Sequence, residues 1–218
     1  DTDLPAATDR LMELLRIPSI SPDPAFTSVC DRAADWLVAD LNSLGIATEK
    51  RATPGHPMVV GHLDGTGPHL LFYGHYDVQP VDPLNLWHHD PFDPDIHETP
   101  AGKVIRGRGS SDDKGQLMTF VEACRAWKAV HGTLPCKLTF FLEGEEESGS
   151  PSLVPFMKDH ADEHHNGGVG RQKQNYSHHN YLPNLHHTLY LRPRSPKSSP
   201  GGACLASHAI FYTTYVGR

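Results

Sequence analysis

Three short segments carry residue types that could do chemistry together: GHYDVQP at 74–80, GRGSSDDKG at 107–115 and LEGEEESGS at 142–150. In the first, His75 ends an apolar run and Asp77 follows two residues later. On extended backbone a spacing of two puts both side chains on one side. There Asp77 can accept a hydrogen bond from one imidazole nitrogen and leave the other for a metal. In the second, Gly107, Gly109 and Gly115 allow a tight approach before a helix, and Asp112 and Asp113 lie near its start. In the third, Glu143, Glu145, Glu146 and Glu147 crowd together directly after an apolar run. Like charges so close raise one another's pKa unless solvent or a cation neutralises them. Each feature alone has an ordinary explanation: an exposed or structural histidine, a helix-capping aspartate, a solvated strand end. Together, a His–x–Asp, an Asp–Asp and a Glu–Glu supply nitrogen and oxygen ligands suited to Zn²⁺, with Mn²⁺ or Co²⁺ fitting the same set. The chain has no CxxC pair, HExxH, Walker loop or dinucleotide fingerprint. GRGSSDDKG is only superficially a phosphate loop, since its acidic pair would repel phosphate.

The elements that must position these segments alternate between helix and strand. Helices are predicted from about Pro5 to Arg16, from Thr27 to Leu44 (stopped by Gly45), from Lys114 to Val130, and from Pro151 to about Ala161. The first places Leu11, Leu14 and Leu15 on one face, and the third places Leu117, Phe120, Val121, Cys124 and Trp127 at helical spacing. Strands are predicted at Ile46–Ala52, at Met58–Leu63, along PHLLFYGHYDV from Pro68, at Lys103–Arg106 and at Cys136–Leu142, with a proline-rich loop from Gln79 to about Gly102. Such alternation implies an α/β fold, a three-layer αβα arrangement around an open mixed sheet. The three segments then fall at the carboxyl ends of strands, where open sheets of this kind build their sites.

Charge divides the chain. Its 26 acidic and 19 basic residues give a net −7, yet every acidic residue lies at or before Glu163. The last 55 residues hold six basic residues and seven histidines, and they follow neither period over a useful length. Only TLYLR and AIFYTTYV within them are strand-like. The expected organisation is therefore 1–163 as a folded catalytic part and 164–218 as an irregular tail, either disordered or translated out of frame. No apolar run approaches the roughly 20 residues that would span a bilayer. Four well-separated cysteines, Cys30, Cys124, Cys136 and Cys204, with Cys30 and Cys124 read as buried free thiols, point to a reducing cytoplasm. Neither nucleic acid nor membrane is an expected partner.

GHYDVQP, then Trp87 with DPF and GRGSSDDKG, then LEGEEESGS resemble the motifs of the two-zinc peptidase family that includes carnosinase-type dipeptidases, aminoacylases and succinyl-diaminopimelate desuccinylases. The resemblance covers about residues 8–160, and the VQP and EESGS endings look most like the dipeptidase branch. It implies that His75 binds one zinc with Asp77 holding its ring, that Asp112 bridges two zincs through a cis bond to Asp113, and that Glu147 binds the other. Glu146 would be the general base. Glu143 and Glu145 match no family role and are expected to be solvated or outside the ligand set. The implied activity is hydrolysis of a dipeptide; a deacylase of N-acyl amino acids is the alternative within the family, and an inactive fragment binding metal weakly or not at all is the alternative outside it. The family's lid and dimerisation domain and its later ligands are not recognisable, so the motif-bearing part is expected to be the N-terminal portion of a catalytic domain.

Overall fold

The structure is a computed structural model; it describes residues 3–160 and, by backbone alone, residues 188–191. The predicted boundary near 163 and the AIFYTTYV segment lie outside the described residues.

Strands β1 (Ala47–Arg51), β2 (Met58–Leu63), β3 (His69–His75) and β6 (Lys137–Glu143) form one sheet in the order β1-β2-β6-β3. β1 pairs antiparallel with β2, β2 antiparallel with β6, and β6 parallel with β3, so the sheet is mixed. The parallel pair needs a long crossover. It contains the hairpin β4 (Asp95–Thr99) and β5 (Gly102–Arg106), followed by helix α3 (Lys114–His131).

Period-two alternation assigns the sheet's two faces. Val59, Leu138, Phe140 and Leu142 point to a core shared with helices α1 (Leu4–Leu15), α2 (Thr27–Ser43) and α3. Met58, Val60 and Phe141 point the other way, onto Phe156 of helix α4 (Leu153–Asp159). The larger core includes Leu14, Leu15, Leu37 and Leu41, all fully buried, each stabilising the fold by about 1.5–3 kcal/mol through apolar burial. Phe72 of β3 stacks on Phe120 of α3 with ring centroids 4.2 Å apart. Helices thus lie on both faces, the layered arrangement expected from the alternation.

Two features differ from the sequence reading. The stretch read as loop to Gly102 contains β4, whose residues pair from Asp95↔Arg106 to Thr99↔Gly102. Its sequence, DIHET, is too polar and too short to announce a strand; the ladder with β5 makes it one. Second, β5 belongs to a separate sheet, ordered β4-β5-β7, in which β7 is Thr188–Leu191. GRGSSDDKG therefore enters the site from a hairpin alongside the open sheet and not from one of its strand ends. The TLYLR segment, by contrast, does form a strand, running antiparallel to β5.

Candidate metal centre

β3 and β6 end side by side, with His75 opposite Glu143 in the parallel register. This brings GHYD and EGEEE to one edge. A buried loop hydrogen bond extends the edge: Tyr76 N–H donates to Glu143 O at 2.9 Å. The segment after α1 is stitched on as well, because Ser19 Oγ donates to Tyr76 O at 2.6 Å and Val78 N–H to Ser19 O at 2.9 Å.

His75 is 3% exposed. Its Nδ1 lies 3.2 Å from Asp77 Oδ1, and its Nε2 lies 3.0 Å from Asp112 Oδ1 and 3.9 Å from Glu146 Oε2. Burial alone would pull the imidazole's pKa down, but Asp112 and Asp77 accepting from its two nitrogens lift it well above the ordinary histidine range. Asp77 is fully buried and its carboxylate is a hub. Oδ2 accepts from the Ser21 hydroxyl at 2.5 Å and from Glu147 N–H at 3.0 Å, while Oδ1 accepts from Glu146 N–H at 3.3 Å. One side chain thereby ties the imidazole to the backbone of both glutamates.

The acidic pair divides its work. Asp112 has a half-exposed side chain facing His75 Nε2. Asp113 is the N-cap residue of α3 but makes no capping hydrogen bond. Its Oδ2 instead accepts the His75 backbone N–H at 3.1 Å. The capping reading of this pair is therefore corrected: the carboxylate turns away from its own helix to hold a neighbouring strand end. Gly74 leaves the room, since a Cβ there would sit 3.0 Å from Asp113 Oδ2. Burial, only partly offset by His75, pushes the Asp113 carboxyl up to about 6. The Asp112–Asp113 peptide bond is cis.

The four glutamates separate by direction. Glu143 is fully buried and accepts from the Tyr73 hydroxyl. Glu145, 4% exposed, accepts from His56 N–H through Oε1 and from Ser152 N–H through Oε2, both at 3.1 Å. Neither is solvated, which corrects one of the two expectations for them: alternation on β6 turns Glu143 inward, and Glu145 closes the turn that follows. Gly55 permits that closure, because a Cβ there would overlap Glu145 Oε1. Glu146 turns towards His75 and Glu147 towards Gln79. Burial, with Asp112 adding to it, raises both carboxyls, and Glu147 reaches about 7.

His75, Asp112 and Asp113 offer ligand atoms that all lie within 4.8 Å of one another, with Glu146 at the margin. Glu147 is not in that group; its Oε2 accepts from Gln79 Nε2 at 2.8 Å. One imidazole and two carboxylates suit a zinc-like divalent ion, and the raised carboxyls are groups that a cation would relieve of mutual repulsion. The residues present fit such an ion.

Sequence reasoning assigned no role to Ser21, Gln79 or Lys114. Lys114 of DDKG is buried, its Nζ donating to Leu14 O at 3.1 Å and Ile17 O at 2.6 Å, which fastens the start of α3 to the end of α1. Burial lowers it to about 7. Its place directly after an acidic pair at the start of a helix was the only signal available in the sequence. Arg108 lies over the Trp87 ring, 5.1 Å from its centroid, and donates to Pro80 O at 2.9 Å. That contact locks the proline-rich loop against GRGSSDDKG.

Comparison with known proteins finds a matching family pattern and similar proteins. The sequence pattern of peptidase family M20/M25/M40 matches residues 71–185. The Cys-Gly metallodipeptidase dug1 of Schizosaccharomyces pombe is 32% identical over 167 residues, covering 71% of this chain and 34% of that protein. The beta-Ala-His dipeptidase of Rattus norvegicus is 33% identical over 119 residues, covering 54% of this chain and 23% of that protein. Among solved structures, the dipeptidase Dug1p of Saccharomyces cerevisiae superposes with a TM-score of 0.70 at 29% identity, over 78% of this chain and 38% of that one. The chain thus spans about a third of the length, or less, of the relatives it matches.

Proposed function

The chain belongs to peptidase family M20/M25/M40, and from that premise we propose that its site serves metal-dependent hydrolysis of a dipeptide, with two divalent ions, zinc foremost. The observation that carries the reading is the meeting of His75, Asp112 and Asp113 from separate segments, with Glu146 Oε2 3.9 Å from His75 Nε2. The dipeptidases among its relatives support the substrate class.

In this reading His75, Asp112 and Glu147 would hold the ions, Asp112 serving both. Asp77, accepting at Nδ1, would fix the tautomer in which Nε2, once it gives up the proton it shares with Asp112, faces the ion. When bound, the ions supply Lewis acidity that polarises a carbonyl and eases loss of a proton from water. Glu146, partly buried and with its carboxyl raised toward neutrality, takes that proton and delivers it to the leaving amine. Gln79 orients Glu147 through its amide. The small peptide is the partner; the composition boundary near residue 163 is a further part of the proposal, and sequencing the gene's DNA through that region tests whether the frame is continuous.

The test is hydrolysis of Cys-Gly and of beta-Ala-His by the 218-residue chain, supplied with zinc, manganese or cobalt, beside an N-acyl amino acid. Dipeptide cleavage that Glu146→Gln lowers about 10²–10⁴-fold, with zinc binding retained, is the expected result. Preference for the N-acyl amino acid would make the site a deacylase. Zinc binding with no turnover under any of the three ions would sink the catalytic reading of this chain.

A further inference from the structure

A second convergence of ligand atoms lies on the hairpin, formed by His89, Asp95 and His97, whose donor atoms also fall within 4.8 Å of one another. Asp95 and His97 are two apart on the edge strand β4 and share its inward face. His89 reaches them from the turn before the strand, and that turn is anchored on both sides. The Trp87 indole N–H donates to Val81 O at 2.9 Å, and Asp90 Oδ1 accepts from Phe92 N–H at 2.9 Å.

His89 Nε2 lies 3.2 Å from Asp95 Oδ1, and His97 Nε2 lies 2.6 Å from Asp95 Oδ2. Pairs this close would ordinarily be N–H···O hydrogen bonds. Here His89 Nε2, Asp95 Oδ1 and His97 Nε2 are all buried atoms that make no hydrogen bond. The nitrogens approach the carboxylate off the N–H direction, as ligands do when they face a shared point rather than one another. Arg106, opposite Asp95 in the β4–β5 register, makes no ion pair with it. Zinc bonds of about 2.0–2.2 Å set tetrahedral ligand atoms roughly 3.3–3.6 Å apart, close to the His89–Asp95 separation and wider than the His97–Asp95 one, so the His97 ring would swing back slightly to admit the ion.

We propose that His89, Asp95 and His97 form a separate binding site for one zinc-like divalent ion, which clips the proline-rich loop to the β4–β5 hairpin. Two imidazoles and one carboxylate leave a fourth position for water. The site shares no residue with the centre at His75 and does not depend on the proposed reaction. Its role is to staple a segment in which Leu84 and Leu86 stay exposed.

The test is diethylpyrocarbonate labelling of the full chain, with and without zinc, read histidine by histidine through peptide mass spectrometry. Zinc should suppress labelling of both His89 and His97 in the parent chain, and Asp95→Asn should abolish that protection. Should Asp95→Asn fail to fold, His89→Gln provides the second variant, in which protection of His97 is lost. Equal labelling of His89 and His97 with and without zinc in the parent overturns the proposal, as does protection that survives Asp95→Asn. Labelling of His75 in the same digest reports on the other centre, so failure of one site is distinguishable from failure of the other.

Discussion

At the scale of single residues, Asp77 has the most consequences. Its two oxygens receive the Ser21 hydroxyl and the backbone N–H groups of Glu146 and Glu147, and it also faces His75 Nδ1. Asp77→Asn would turn an NH₂ toward donors on one side or the other. Zinc affinity, measured by isothermal titration, is expected to fall about 10–100-fold, with a loss of about 1–3 kcal/mol in urea unfolding from the unmatched donors. The cysteines give a residue-scale prediction of another kind. Burial pushes both Cys30 and Cys124 up to about 12. A raised thiol pKa leaves almost no thiolate near neutrality, and the nucleophile is the thiolate. Iodoacetamide labelling of these two in the native protein should therefore stay negligible from pH 7 to 9 and appear on denaturation, while half-buried Cys136 labels before either of them.

Elements explain why the three segments meet. β3 and β6 must lie parallel for His75 to sit opposite Glu143, and the crossover between them carries Asp112 and Asp113 back to the same edge. α1 and α3 are fastened through Lys114 to Leu14 and Ile17, so the DDKG turn is held by the helix layer as well as the sheet. α2 supplies much of that layer's packing, and Leu37 is fully enclosed in it. Leu37→Ala should cost about 2–5 kcal/mol by urea denaturation, and the looser layer should weaken zinc binding through the position of α3. The opposite face is less covered: Leu71, Tyr73, Val154 and Met157 line an open apolar groove beside α4.

For the molecule as a whole, acidic charge at one sheet edge links folding to metal. Asp112, Asp113 and Glu146 crowd around one imidazole with Glu147 beyond them, and burial raises Asp113 to about 6 and Glu147 to about 7. An ion that binds only the folded chain stabilises it by mass action. At 100 times its dissociation constant zinc should add about 2.7 kcal/mol per site, seen as a rise in thermal midpoint that EDTA reverses. Among the described residues no helix is long and apolar enough to cross a membrane.

Much of this could be read without coordinates. The helices and the strands of the main sheet announce themselves through 3.6- and two-residue periods, because burying one face is what makes those elements stable. That His75 and Asp77 share a side follows from backbone geometry alone, and the motifs lead to the family. What periodicity cannot express is partnership between segments distant in sequence. DIHET became a strand only by pairing with β5, and the hairpin chose its own sheet. Glu143 and Glu145 turned inward because Tyr73, His56 and Ser152 met them there, and Asp113 left its helix cap for the N–H of His75. Local sequence sets which side chains can reach a site; which of them find a donor, a charge or one another is decided only when the chain closes on itself.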